Sequence, residues 1–224
     1  AAPTLLELPS DRSRPSTQSF KGAIYSFAVS AATTEALRRL CREETATMFM
    51  VLLAAFDVLL GRYSGQDDIV IGTPVAGRNR SEFERLIGFF INTLVLRTDL
   101  SGNPTFRELV GRVREVSLGA YAHQDLPFEK IVEELHPQRD LSHTPLFQVM
   151  FSLQNTPADA PALPELTIKA MEVDSGSSKF DLSLDLQEAG NGLLGWFEYS
   201  TDLFNSESIA RMTDHFVTLL EAIA

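Results

Sequence analysis

The chain has 224 residues, 44% of them hydrophobic and 22% charged, with a formal net charge of -11. That length can bury a substantial core in one large or two small domains. The charge argues against a broad nucleic-acid or anionic-membrane surface, since either calls for a basic patch, although arginine pairs such as Arg78/Arg80 and Arg112/Arg114 still leave room for a phosphate contact. The single Cys41 admits no intrachain disulfide, which points to a reducing cytoplasm. No run reaches the roughly 18 apolar residues of a membrane span; MFMVLLAAFDVLL (Met48–Leu60) comes closest, and Asp57 interrupts it.

In chain order, the opening AAPTLLELPSDRSRP carries Pro3, Pro9 and Pro15, a spacing that no helical or strand period survives. It reads as an extended connector belonging to something larger. AIYSFAVS (Ala23–Ser30) is strand-like, and TTEALRRLCREE (Thr33–Glu44) predicts a helix. TMFMVLLAAFDVLLGRYSG predicts a second helix, apolar nearly all round and therefore buried, with Gly61 and Gly65 marking its end. DDIVIGTPV and NTLVLRTDL are strands. A long helix is expected from Asn103, with Pro104 at its first position and an apolar face of Phe106, Leu109, Val110, Val113, Val116 and Ala120. A short helix follows Pro127, with Phe128, Ile131, Val132 and Leu135 on one face.

Strands then come in succession. FQVMFSLQ (Phe147–Gln154) and KFDLSLDLQ (Lys179–Gln187) alternate strictly, GLLGWFEYS (Gly192–Ser200) lies beside the latter, and LTIKAMEV (Leu166–Val173) is a weaker candidate after the loop TPADAPALPE. Such alternation predicts antiparallel strands with one covered face. On it, Asp181 and Asp185 share the polar side with Ser183 and are expected to meet solvent, with a cleft lining as the alternative. An amphipathic helix from about Ser206 closes the chain, with Glu207 in its first turn. The fold class is α/β, a mixed sheet flanked by helices.

Three of the four histidines fall between His123 and Asn155, in HQDLPFEKIVEELHPQRDLSHTPLFQVMFSLQN. Acid–base chemistry there fails on geometry. If the long helix runs on through His123 and Asp125, residues two apart point about 200° from each other and do not pair. Pro127 breaks the helix at Leu126, so Asp125 is expected to cap or face the next helix. His123 is expected near the edge of the apolar face, where a half-buried structural histidine and a functional one stay equally open. His136 and His143 flank a proline-containing loop without metal-ligand spacing, and His215 is expected on the surface. GTPVAG lacks the Lys-Ser/Thr of a phosphate loop, so its glycines shape a turn. No metal site is expected, and Cys41 has no activating base in its motif.

IGFFINTLVLR (Ile87–Arg97, with Gly88), HQDLPFE (His123–Glu129, with Asp125 and Pro127) and RDLSHTPL (Arg139–Leu146, with Asp140 and Pro145) closely resemble three ordered signatures of condensation domains from nonribosomal peptide synthetases. The flanks LELPSDRSRP, IVIGTPVAGRNR, KFDLSLDL and FEYSTDLFNSESIARM agree. In the third signature, His143-Thr144 stand where the family usually has Arg-Asn. The resemblance implies the second, C-terminal lobe of a chloramphenicol acetyltransferase-like domain, with residues 1–20 as the interlobe connector and 21–224 as the lobe.

The family's catalytic HHxxxDG belongs to the other lobe, and no adjacent His pair occurs here, so no catalytic residue is expected in this lobe. By the same resemblance, the two lobes together join an amine acceptor to a thioester donor, each on the phosphopantetheine arm of a peptidyl carrier, beside an adenylation domain. No cofactor is expected to bind directly. Asn92, Arg78 and Ser183 are the substrate-tunnel candidates. For Asn92 a place near the reaction centre and a role fixing the start of the strand stay equally open. For Arg78 a phosphate contact competes with a structural ion pair. A noncatalytic carrier-docking module is the alternative for the whole chain.

Overall fold

The computed structural model describes residues 5–78, 82, 86–137, 140–154 and 175–224. Arg80, Arg139, the loop Thr156–Glu165 and the weak strand Leu166–Val173 lie outside the described residues. The elements run β1 (Gly22–Val29), α1 (Ala31–Glu43), α2 (Met48–Ser64), β2 (Asp68–Val75), β3 (Asn92–Asp99), α3 (Phe106–Ala122), α4 (Phe128–Leu135), β4 (Val149–Gln154), β5 (Leu182–Ala189), β6 (Gly192–Ser200) and α5 (Ser206–Ile223).

Local chemistry sets the helix ends. The Ser30 hydroxyl accepts the Thr33 N–H and the Thr47 hydroxyl accepts the Met50 N–H, starting α1 and α2. Gly65 ends α2 at φ 71°, a left-handed conformation that glycine adopts without steric cost. The long helix starts later than the sequence suggests. Asn103 is itself left-handed, and Thr105 with Glu108 forms a reciprocal capping box that opens α3 at Phe106. Local hydrogen bonding outweighs the proline signal there.

The described strands form one six-stranded sheet in the order β1-β6-β5-β4-β2-β3. β6 runs antiparallel to both β1 and β5, and β2 is antiparallel to β3, whereas β4 runs parallel to both β5 and β2. The expectation of antiparallel pairing is therefore wrong at β4. Alternation reports which face a residue takes, not strand direction, and the long connection between β4 and β5 permits parallel pairing. β2 and β4 meet at one registered pair, Gly72 opposite Met150. A Cβ at Gly72 would fall 2.3 Å from the Phe147 ring, so only glycine lets that ring lie over the seam.

α2 is buried almost throughout, as its all-round apolar pattern predicts, and Leu52, Leu53, Phe56 and Leu60 are fully enclosed. Phe56 stands within about ring-contact distance of Phe151, Phe197 and Phe216, at centroid separations of 5.9, 6.1 and 6.2 Å. Leu182, Leu184 and Leu186 of β5 face the same core. Among the described residues no single helix is long and apolar enough to cross a membrane.

Residues 5–20 have neither helix nor strand, as the proline spacing implies, yet they are fastened along the lobe rather than free of it. Leu6 enters the core, and its N–H donates to Gln148 Oε1 at 3.0 Å. Asp11 accepts the Asn205 N–H at 2.8 Å and the Ser208 hydroxyl at 2.7 Å, capping α5 from outside. The Asn205 bond, then the Ser208 bond, hold its carboxyl below the usual range. Arg14 forks onto both oxygens of Asp181 and also reaches the Ser142 carbonyl at 3.2 Å. Asp181 is 4% exposed, so the expectation that it meets solvent is wrong; the guanidinium takes that place.

Asp57 sits within α2, with its Oδ2 unpartnered among the described residues. Burial pushes its carboxyl up to about 8, partly offset by the Thr98 hydroxyl. An unfolded Asp57 ionises near 3.8, so between about pH 4 and pH 8 the unfolded chain alone loses this proton. Stability from this group is then complete below pH 4 and falls by about 1.4 kcal/mol per pH unit up to its folded pKa. The Asp57→Asn variant is expected to melt at a temperature that rises relative to wild type as pH goes from 5 to 8. A parallel pair of melting curves across that range contradicts this.

Candidate functional site

The segment His123–Phe128 is held by one side chain of β3. Asn92 Nδ2 donates to the Gln124 and Leu126 carbonyls, both at 2.8 Å. Its Oδ1 accepts the Phe128 N–H at 3.0 Å and the Thr93 N–H at 2.9 Å. An amide has two protons to give and two lone pairs to accept with, so Asn92 is saturated within the lobe. Of its two open readings, the geometry supports the structural one.

Of the expectation that Asp125 caps or faces the start of α4, the capping half fails. Pro127 is the N-cap residue, without a side-chain cap bond, and the Phe128 N–H is satisfied from the sheet by Asn92. α3 ends at Ala122, so His123 is its C-cap and is exposed rather than half-buried. The helix-geometry objection to a His123–Asp125 dyad therefore no longer applies as stated, because neither residue is helical.

Arg78 stacks on the Phe90 ring, its Cζ 4.4 Å from the centroid. Gly77, at φ 62°, brings its backbone against the Phe90 carbonyl, where a Cβ would lie 1.9 Å away, and a side chain at Gly88 would crowd the same ring. Of the two GTPVAG glycines, Gly77 takes the left-handed conformation of a turn, as expected, whereas Gly72 lies inside β2 opposite Met150. Beside the Gly77 turn, Ile87 and Phe89 are 104% and 89% exposed, an apolar rim on this end of the lobe.

In the third signature, Asp140 accepts the Ser142 N–H at 2.7 Å and lies 3.6 Å from His143 Nε2. The Ser142 contacts, side chain then backbone, hold the Asp140 carboxyl below its usual range. The Pro145 carbonyl accepts the Phe147 N–H at 2.9 Å. This stretch packs the opening segment through Arg14 and the Gln18 N–H, which reaches the Leu141 carbonyl at 3.0 Å. His136 ends α4 in a left-handed conformation. His215 is exposed, as expected, with its Nδ1 2.8 Å from the Tyr63 hydroxyl.

Ser183 lies elsewhere, on the sheet face turned away from α2. Residues paired across strands point the same way, so Ile24, Glu198, Ser183, Met150 and Gly72 form one row, and Ser26, Trp196, Asp185 and Ser152 the next. The Ser152 hydroxyl donates to Asp185 Oδ1. Burial raises the Asp185 carboxyl, with Ser152 pulling it back. Burial also raises Glu198, opposed by a Ser178 hydrogen bond and reinforced by the charge of Asp185. Asp185 is partly buried, so the expectation that it meets solvent holds only in part. The structure keeps the tunnel candidates apart: Asn92 and Arg78 belong to the β3 end, Ser183 to the middle of the sheet. Sequence reasoning missed Glu198, Trp196 and Ser152, which only strand pairing brings to Ser183.

The family model for the condensation domain matches residues 2–224. The chain belongs to the condensation domain family. One of the linear gramicidin synthase polypeptides of Brevibacillus parabrevis is 57% identical over 100% of this chain, which spans 3% of that protein's length. The solved structure of holo-AB3403, a four-domain nonribosomal peptide synthetase bound to AMP and glycine, is 30% identical with a TM-score of 0.93, over 99% of this chain and 18% of that one. The X-domain solved in complex with OxyB from teicoplanin biosynthesis is 32% identical with a TM-score of 0.89, over 100% of this chain and 50% of that one. The mixed sheet flanked by helices is that of the chloramphenicol acetyltransferase-like condensation fold.

Within this chain the Asn92 clamp is a stability element. Asn92→Ala orphans two N–H groups and two carbonyls, and is expected to cost about 1–3 kcal/mol in chemical denaturation. His123→Ala, at an exposed cap, is expected to stay within about 0.5 kcal/mol of wild type. The reverse order of the two losses contradicts the assignment.

Proposed function

We propose that this chain is the C-terminal half of a peptide-bond-forming condensation domain and supplies one wall of its reaction tunnel, residues 1–20 serving as the connector to the other half. The observation that carries this reading is the match of the condensation family model from residue 2 to residue 224, over a chain that spans half of a solved relative. The sheet supports it: the helices cover one face, and the other offers a polar patch around Ser183.

In the reaction, the acceptor amine nitrogen attacks the thioester carbonyl carbon of the donor. The C–N bond forms, the C–S bond breaks, and the nitrogen proton leaves as the donor carrier's thiol is released. Such chemistry needs alignment, proton handling and support for the oxyanion. The companion lobe's HHxxxDG histidine handles the proton or positions the amine, and this lobe aligns. Ser183 is the wall residue we retain. Arg78, already engaged with Phe90, orders the rim and is placed to meet a carrier or its phosphopantetheine arm. The partners are the companion lobe, two peptidyl carriers and an adenylation domain, in a cytoplasmic synthetase making a secondary metabolite of the peptide-antibiotic kind. The phosphopantetheine arrives on the carriers.

A second reading, a noncatalytic docking module, has its support in the likeness to the X-domain, which was solved in complex with OxyB.

Mixing the isolated chain with loaded donor and acceptor carriers is expected to give no dipeptide above the uncatalysed background, by mass spectrometry of the acceptor carrier. Joining it to an upstream lobe bearing HHxxxDG is expected to give product. Turnover by the isolated chain overturns the half-enzyme reading, and a silent joined enzyme favours the docking module.

A further inference from the structure

An open sheet ends in two edge strands, each presenting backbone N–H and C=O groups to whatever strand can pair with them. Among the described strands the edges are β1 and β3, and they are guarded unequally. β3 carries Arg97 and Asp99, Arg97 is paired with Asp68 of β2, and α3 packs along the strand. β1, GAIYSFAV, is eight residues long and has neither a charge nor a proline. In a chain of net charge -11 it is a stretch on which two copies can meet without opposing like charges.

The register shows which groups of β1 are open. Gly22 lies opposite Ser200 of β6, but its N–H points the other way and donates to the Gly176 carbonyl at 3.0 Å, beside an isolated bridge between Lys21 and Ser177. Backbone direction alternates along an antiparallel pair. The N–H and C=O groups of Ile24, Ser26 and Ala28 therefore also point away from β6, and no described strand lies on that side of them. All three residues are exposed.

A second β1 fits this edge. Placed antiparallel about a two-fold axis at Ser26, it sets Ser26 opposite Ser26 and Ile24 opposite Ala28, so every open residue enters a hydrogen-bonded pair. The same register sets Tyr25 opposite the copy's Phe27 on the core side, where both are partly buried, an aromatic pair of the kind that stabilises neighbouring strands. An axis at Ile24 would instead need the Gly22 N–H, which Gly176 already takes.

We propose that β1 is a dimerisation edge, joining two copies of this chain into one continuous antiparallel sheet across a two-fold axis at Ser26. The proposal does not rest on the tunnel-wall reading above.

In sedimentation velocity the full chain is expected to pass from monomer toward dimer between about 10 and about 500 μM, a range that covers weak self-association. Ser26→Pro removes an N–H that β6 does not use, a position at which an edge strand tolerates proline. That variant is expected to keep the wild-type circular dichroism and to stay monomeric. Cysteine crosslinking with copper phenanthroline, in a Cys41→Ser background, reads the register. The Cα atoms of a hydrogen-bonded antiparallel pair lie about 5.5 Å apart, within disulfide reach, so Ser26→Cys is expected to give a covalent dimer. In Ile24→Cys the two thiols are four residues out of register, about 13 Å along the strand, and are expected to stay unlinked. A wild-type chain that remains monomeric throughout, an unchanged dimer in folded Ser26→Pro, or equal crosslinking at the two cysteine positions each overturns the proposal. The two cysteine variants keep the test decisive if Ser26→Pro does not fold.

Discussion

A helix with no polar side has to be covered on every side, and α2 imposes that constraint on the whole lobe. From Met50 to Leu60 all but one of its residues are buried. The sheet lies along it through Phe151 and Phe197, α5 supplies Phe216, and α1 and α3 close the remaining flanks. With the helices committed to that side, the opposite sheet face is left with a polar patch. A carbonyl, an amine or a thioester is handled by polar groups, so the free face is the one with the means to do it. The core thereby decides which sheet face keeps its polar groups without contributing an atom to that patch.

Two further interactions turn the layers into a defined wall. Arg14 crosses from the opening segment to Asp181 at the start of β5, and it holds the Ser142 carbonyl at the same time. A paired carboxylate there costs little, whereas Asp181 alone, withdrawn from water, is an uncompensated charge. Asn92 plays the matching part at the other edge, joining β3 to the turn between α3 and α4 through a fully used amide. The family's two most recognisable motifs in this chain, FINT and HQDLPFE, are thus two halves of one structural joint.

The elements whose chemistry is local are legible in the sequence. The apolar run of α2, Gly65 as its stop, the paired patterns of β2 and β3, and the polar rows of β5 follow from period and turn chemistry. What is not legible there is long-range. Nothing near Asp181 says that Arg14, so far away in the chain, will cover it, and the same alternation fits parallel and antiparallel neighbours alike. Pro104 suggests the first turn of α3, whereas the capping box of Thr105 and Glu108 is written one residue further on and decides the start. At the site, Ser183 is legible as a polar strand residue, and its company is not: Glu198, Trp196 and Ser152 arrive by register from other strands.

The central claim is that the sheet face bearing Ser183, not the rim or the helices, meets the acceptor. A direct measurement is covalent capture in the joined two-lobe enzyme, with Cys41→Ser as background and an acceptor carrier loaded with a chloroacetyl group in place of its amino acid. With Ser183→Cys the account predicts a carrier–enzyme adduct at that position, and with Thr218→Cys, on the outer side of α5, none. Adducts of equal yield at both positions, or at Thr218→Cys alone, contradict it.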